Sequence, residues 1–226
     1  MAGQTQDRPA LAPPPRWGGR HWAIALAIGT AALGVGVAVD MPMHRWHETF
    51  PFELNRTKIE GHDFYFFTLQ AYVNPVSVTA IVLAIVALDR RWRQVVTRML
   101  LAIGLASLAV HAIKLVVLRE RPYVYDGDTW LGAWQGLGVS LDNKLASFPS
   151  GHTGHAFAMF GVLAGCYRPA RWLCWALAAG VGLARWWFQD HWPSDIIAGA
   201  LIGLAAAYLM LRGRRARRAR HQITSA

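Results

Sequence analysis

Long apolar runs separated by short polar segments dominate this chain. Six runs stand out, at about residues 22–39, 64–88, 96–118, 151–167, 172–188 and 193–211. No stretch of useful length alternates apolar with polar positions, so helices are the membrane-crossing solution left to the chain. The expected fold class is therefore all-α: a polytopic membrane protein with a six-transmembrane-helix bundle. A bilayer core needs about 20 helical residues. The last three runs reach that length only if their polar ends also dip toward the membrane, as a functional site there would require.

Composition agrees with the pattern. The chain has 226 residues, 54% of them hydrophobic and 16% charged. A soluble domain carries about 25% charge, and the deficit here is concentrated in the long runs. Residues 1–20 are rich in Pro, Gly and polar side chains and read as a disordered cytoplasmic tail. Residues 21–211 form the membrane domain, and 212–226 a basic cytoplasmic tail. The run at 23–39 is longer than a secretory h-region and lacks a following small-x-small site, so it reads as a span and not as a cleaved signal. Two cysteines, Cys166 and Cys174, flank a short basic loop and make no disulfide framework.

The net charge of +10 is unevenly placed. With the N-terminus inside, fifteen Lys and Arg residues fall in inside segments, among them Arg90, Arg91, Arg93, Arg98, Arg168, Arg171 and six arginines of the C-terminal tail. Six fall outside: Arg45, Arg56, Lys58, Arg119, Arg121 and Lys144. The positive-inside rule thus predicts cytoplasmic termini and outer loops at 40–63, 119–150 and 189–192. The basic tail reads as an anchor drawn to anionic lipids and not as a nucleic-acid binder. Gly199 and Gly203 permit a close helix contact in the last span.

Three polar islands interrupt the apolar background, and all three fall on the predicted outer face. The first is Lys114 and, seven residues on, Arg121-Pro122; a continuing helix would put both cations on one face. The second is Pro149-Ser150-Gly151-His152 at the start of a span. Ser150 is a good N-cap, Gly151 lets a ligand approach the backbone, and the free amides of a helix start attract anions. The third holds Arg185, His191 and Asp195. His191 and Asp195 are at i and i+4, a spacing that lets the carboxylate orient the imidazole and leave its other nitrogen free as a nucleophile. Arg185 offers a planar fork for phosphate oxygens. His155 reads as a packing residue. No set of three ligands at metal spacing is evident, and neither metal nor cofactor is expected.

Together the islands resemble the signature of the type 2 phosphatidic acid phosphatase superfamily, K-x6-R-P, then P-S-G-H, then S-R-x5-H-x3-D. It is met by Lys114, Arg121 and Pro122, by Pro149 to His152, and by Arg185, His191 and Asp195. One position departs: the serine before the arginine is Ala184, which removes one hydroxyl contact to phosphate. The resemblance implies that Lys114, Arg121 and Arg185 neutralise the phosphoryl oxygens, with the amides of Ser150 and Gly151 assisting. It implies that His191 is the nucleophile, that Asp195 orients it, and that His152 is the acid for the leaving group.

The resulting expectation is a membrane enzyme that hydrolyses a lipid phosphate or diphosphate at the outer face of the plasma membrane. Undecaprenyl diphosphate, phosphatidylglycerophosphate, phosphatidate and lipid A are candidate substrates. The bilayer and its lipid phosphates are the expected partners, with no nucleic acid and no obligate protein. Alternatives are a phosphotransferase of the same superfamily and a non-enzymatic phospholipid-binding or transport protein. A haloperoxidase is disfavoured by the membrane spans. Tyr123, Tyr125, Trp130 and Trp134 suit a cover over the site or an interfacial anchor.

Overall fold

A computed structural model describes residues 18–49, 74–125 and 143–212 of the chain. Most of the N-terminal tail, all but the first residue of the basic tail, and the loop carrying Trp130 and Trp134 lie outside the described residues. The described residues form six helices of 14 residues or more, short 3-10 turns and one isolated bridge between Arg119 and Ala146. The helices are α1 (Gly19–Glu48), α2 (Pro75–Leu88), α3 (Trp92–Val116), α4 (Gly151–Cys166), α5 (Arg171–Trp187) and α6 (Pro193–Arg212). By length and hydropathy, α1, α3 and α6 are able to cross a membrane, and α2 is a shorter apolar helix.

The ends of α3 to α6 lie close to expectation, and those of α1 and α2 do not. The apolar run predicts an end for this helix at residue 39, just before Asp40. The helix instead continues through Asp40 and Pro42 to Glu48, because the Asp40 carboxylate is buried against partners from other segments. The sequence run at 64–88 is not one helix. Asn74 is extended and caps α2 by accepting from the Ser77 amide at 2.9 Å, with Pro75 at the first position. Proline there suits a helix start, having no N–H to leave unpaired.

Helix α4 sits in the middle, against α3, α5 and α6, while α1 packs on α6. Val95, Met99, Ala102 and Ala106 of α3 meet Ala156, Met159 and Phe160 of α4, with Ala178 and Val181 of α5 and Ala206 and Ala207 of α6 completing the core. Small side chains predominate, and they bring backbones close. A Cβ on Gly199 would lie 2.4 Å from the Ser150 carbonyl oxygen, and one on Gly203 would lie 2.4 Å from that of Gly154. Both glycines are required by the α4–α6 contact, as the small-residue spacing predicts. The outward faces are apolar: Leu26, Val76, Leu108 and Trp172 are all at least 70% exposed. Water would make so much exposed aliphatic surface costly, whereas lipid does not.

The end of the bundle that carries Arg90, Arg91 and Arg93 is tied by Asp89. Its carboxylate accepts from the Arg91 amide at 2.7 Å, from the Arg91 guanidinium at 3.1 and 3.2 Å, and from the Tyr167 hydroxyl at 2.7 Å. Burial opposes ionisation of Asp89, but these donors outweigh it and hold the carboxyl at about 2. The α2–α3 turn is thereby fastened to the α4–α5 turn.

Candidate active site

The opposite end of the bundle gathers the three islands. Helix α3 ends at Val116, not at 118, and the chain turns extended at Val117. Residues 119–121 then pair with 144–147: the Arg119 amide donates to Leu145, the Arg121 amide to Lys144, and the Ser147 amide back to Arg119. Lys114 and Arg121 therefore do not share a helix face, contrary to the spacing argument. They converge because an extended segment folds back over the helix end. In an extended segment residues two apart point the same way, and Arg119 and Arg121 both turn inward, to 1% and 7% exposure. Lys114 Nζ donates to the Ala146 carbonyl at 2.6 Å, which leaves two of its three protons for a ligand.

Ser150 caps α4, as predicted, but its polar groups are already engaged. Its amide donates to the Asp195 carbonyl at 3.0 Å, and its hydroxyl lies 2.9 Å from Thr153 Oγ1. Through this amide Ser150 joins α4 to α6. Gly151 opens the helix, where first-turn amides lack intrahelical partners. An added Cβ there would meet nothing closer than Val110 at 3.8 Å, so packing within the chain does not demand glycine. His152 is exposed and lies within electrostatic reach of Arg185, Arg121 and Lys114.

The third island turns on a tight connection between α5 and α6. Gln189 takes a left-handed conformation (φ 55°), and the amides of Asp190 and His191 both return to the Arg185 carbonyl, at 3.1 and 3.3 Å. Helix α6 then starts with Pro193, and the Asp195 carboxylate accepts from the Trp192 amide at 3.0 Å, half of a capping box. His191 and Asp195 are 1% and 0% exposed, and His191 Nδ1 lies 3.4 Å from Asp195 Oδ2. That contact is long for a hydrogen bond but well placed to orient the ring. The opposing influences on His191 are resolved by burial: it dominates, the cations of Arg185 and Arg121 add to it, and Asp195 opposes it, leaving the imidazole at about 3. His191 is neutral at physiological pH, the state a nitrogen nucleophile needs.

Several residues here were not read as site residues from the sequence. Arg119 joins two carboxylates, donating through NH1 to Asp195 Oδ1 and through NH2 to Asp40 Oδ2 at 2.7 Å. Asp40 also accepts from the Ser194 amide at 2.9 Å and the Ser194 hydroxyl at 2.6 Å. Ser147 donates to Asp195 Oδ2. The charge pattern alone assigns Arg119 and Asp40 to outer loops. The signal that finds them is an acid directly at the end of the uncharged run 22–39, and a second arginine two residues before Arg121. Among the described residues, no group of three His, Cys, Asp or Glu side chains is arranged to hold a metal.

A helical bundle with lipid-compatible faces and a buried His–Asp pair beside clustered cations defines a membrane protein built to handle an anionic group. The chain belongs to the PAP2 superfamily, whose family model matches residues 95–219. It is 39% identical over 67 residues to the bacitracin transport permease protein BcrC of Bacillus licheniformis and 33% identical over 102 residues to the lipid A 1-phosphatase of Rhizobium johnstonii. These matches cover 30% and 43% of this chain, and the chain spans only 32% and 39% of the length of those relatives. The fold is similar to that of LpxE from Aquifex aeolicus, with a TM-score of 0.59 at 21% identity over 77% of this chain and 95% of that one. It is also similar to a transmembrane PAP2-type phosphatidylglycerolphosphate phosphatase from Bacillus subtilis, with a TM-score of 0.54 at 15% identity over 87% and 94% of the two chains.

Proposed function

We propose that the protein is an integral-membrane phosphatase that releases inorganic phosphate from a lipid phosphate or diphosphate through a phosphohistidine. The observation that carries this reading is the buried, neutral His191 backed by Asp195 and set among Lys114, Arg121 and Arg185. Binding alone requires the cations and has no use for an oriented imidazole.

Lys114, Arg121 and Arg185 hold the phosphoryl oxygens, with the first-turn amide of Gly151 assisting. Since Nδ1 of His191 faces Asp195, Nε2 is the attacking atom. The N–P bond forms as the P–O bond to the leaving group breaks, and His152, whose protonation the negative charge of the bound phosphate favours against the neighbouring cations, gives its proton to the departing oxygen. Water then attacks the phosphohistidine, passes a proton to His152, and frees phosphate and His191. The mechanism uses no metal or cofactor. Six spans, cytoplasmic termini and a site on the outer face of the plasma membrane complete the reading. Their support is the charge asymmetry and the common end at which the islands meet. The names of the relatives favour lipid A and phosphatidylglycerophosphate as first substrates to try.

The test is phosphate release by purified protein across a panel of lipid phosphates and diphosphates, with and without EDTA and acceptor lipids. His191→Ala is expected to lower turnover by roughly 1,000-fold or more. Full activity in that variant would remove the nucleophile assignment, loss with EDTA would remove the metal-free mechanism, and transfer to an acceptor would mark a phosphotransferase. Background turnover in the wild type would favour a binding or transport role, the sense of the name borne by the Bacillus licheniformis relative.

A further inference from the structure

Asp190 stands immediately before His191, and no step above uses it. Its carboxylate bridges two of the three cations assigned to phosphate. Oδ2 lies 3.0 Å from Arg185 NH2, and Oδ1 lies 3.7 Å from Arg121 NH1. The aspartate side chain is 16% exposed and both arginines are 10% exposed or less. The backbone is arranged for this placement. The left-handed turn at Gln189 folds the chain back, so that the Asp190 amide bonds to the Arg185 carbonyl and the side chain lies over the Arg185 guanidinium. Gln189 is itself held: its Oε1 lies 3.1 Å from His44 Nδ1. A left-handed non-glycine residue is strained and persists where the surroundings fix it.

A carboxylate presenting one oxygen to each guanidinium is the geometry of a phosphate presenting two of its own. We infer that Asp190 is an internal phosphate mimic: it occupies the Arg121–Arg185 fork in the unliganded protein and is displaced when a phosphate group enters. The inference rests on the phosphate-site reading of Lys114, Arg121 and Arg185. It makes Asp190 a determinant of affinity, in three ways. The carboxylate keeps the two guanidinium groups aligned while the site is empty. It weakens binding of any anion by the interaction that must be given up. It also returns to the fork behind inorganic phosphate and so assists product release.

Direct calorimetric binding of inorganic phosphate to the purified full-length protein in detergent separates this from the catalytic reading, because it needs no turnover. Asp190→Asn is expected to bind phosphate about tenfold tighter than the wild type, the worth of one charge-assisted pair. Asp190→Glu, which keeps the competing carboxylate, is expected to bind like the wild type. Equal or weaker binding by Asp190→Asn overturns the inference and makes Asp190 a structural clamp. A second measurement does not depend on affinity: isotope-edited infrared difference spectra of the wild type and of Asp190→Glu on adding phosphate. A shift of an aspartate carboxylate band that is missing in Asp190→Glu supports displacement, and an unshifted aspartate band refutes it. Phosphate binding with these properties but no lipid-phosphate turnover would fail the hydrolase reading and leave this one standing.

Discussion

Arg119 does the most to hold the centre of the site together. It is 1% exposed and lies between Asp40 and Asp195, with its guanidinium also 5.0 Å from the Trp192 ring. Removing one partner of a buried ionic group leaves the others uncompensated, at a cost of about 3–5 kcal/mol. Arg119→Met is thus expected to lower thermal stability and kcat together, because Asp195 loses a fixed partner and His191 its orientation. The double variant Arg119→Met/Asp40→Asn is expected to recover part of the stability, and a double-mutant cycle from melting curves and phosphate release checks it. At His191 the expectation is electrostatic. In selectively labelled protein its imidazole remains neutral from about pH 5 to pH 8, since burial holds it below the usual histidine range; NMR with His191→Ala as the assignment control reads this directly. Lys114, Arg121, Arg185, His191 and Asp195 were legible in the sequence because polar residues at fixed spacing stand out in an apolar chain. Arg119 and Asp40 were not, because they look like loop charges until the chain is folded and their partners, 76 and 79 residues away, are known.

At the scale of elements, two contacts set where the site's parts lie. The first is the close approach of α4 and α6 at Gly199 and Gly203. Gly199→Ala places a methyl against the Ser150 carbonyl, beside the Ser150 amide that donates to the Asp195 carbonyl. The substitution is expected to reduce phosphate release by tenfold or more, about 1.4 kcal/mol in barrier, with helix content by circular dichroism unchanged. The second contact is the Asp89 tie at the far end. Its folded-state pKa of about 2 lies below the ordinary 3.8. The stabilisation is thus fully present above the unfolded value and is lost as pH falls through about 2. Asp89→Asn is expected to lower Tm at neutral pH by the worth of one or two hydrogen bonds, roughly 1–2 kcal/mol, and the difference from the wild type is expected to shrink at pH 2. Helix boundaries were most legible at the end that carries Arg90, Arg168 and Arg171, where apolarity stops at charges the fold leaves exposed. They were misread at α1, where the first acid is an interior residue, and at α2, where a capping Asn-Pro pair lies inside an apolar run.

For the whole molecule, polarity is segregated by end. The His–Asp pair and the cations Lys114, Arg121 and Arg185 lie at one pole, and Asp89, Arg91 and Tyr167 fasten the other. A cysteine placed at Thr49, next to the site end, and one replacing Arg168, at the far end, are expected to differ in labelling by an impermeant thiol reagent in intact cells. The Cys166→Ser/Cys174→Ser background removes the native thiols. Labelling at Thr49 alone supports the proposed orientation, and labelling at position 168 alone reverses it. The match to the PAP2 superfamily model begins at residue 95, yet Asp40 on α1 belongs to the same buried network as Asp195. That linkage has a consequence for biosynthesis. Asp40 leaves the ribosome 79 residues ahead of Arg119, a lead of roughly 4–16 seconds at translation rates of 5–20 residues per second. During that interval Asp40 lacks Arg119, the cation that receives it in the folded protein. Completion of the centre is thereby a timed event: Arg119 can join both carboxylates only after α6, which carries Asp195, has been made.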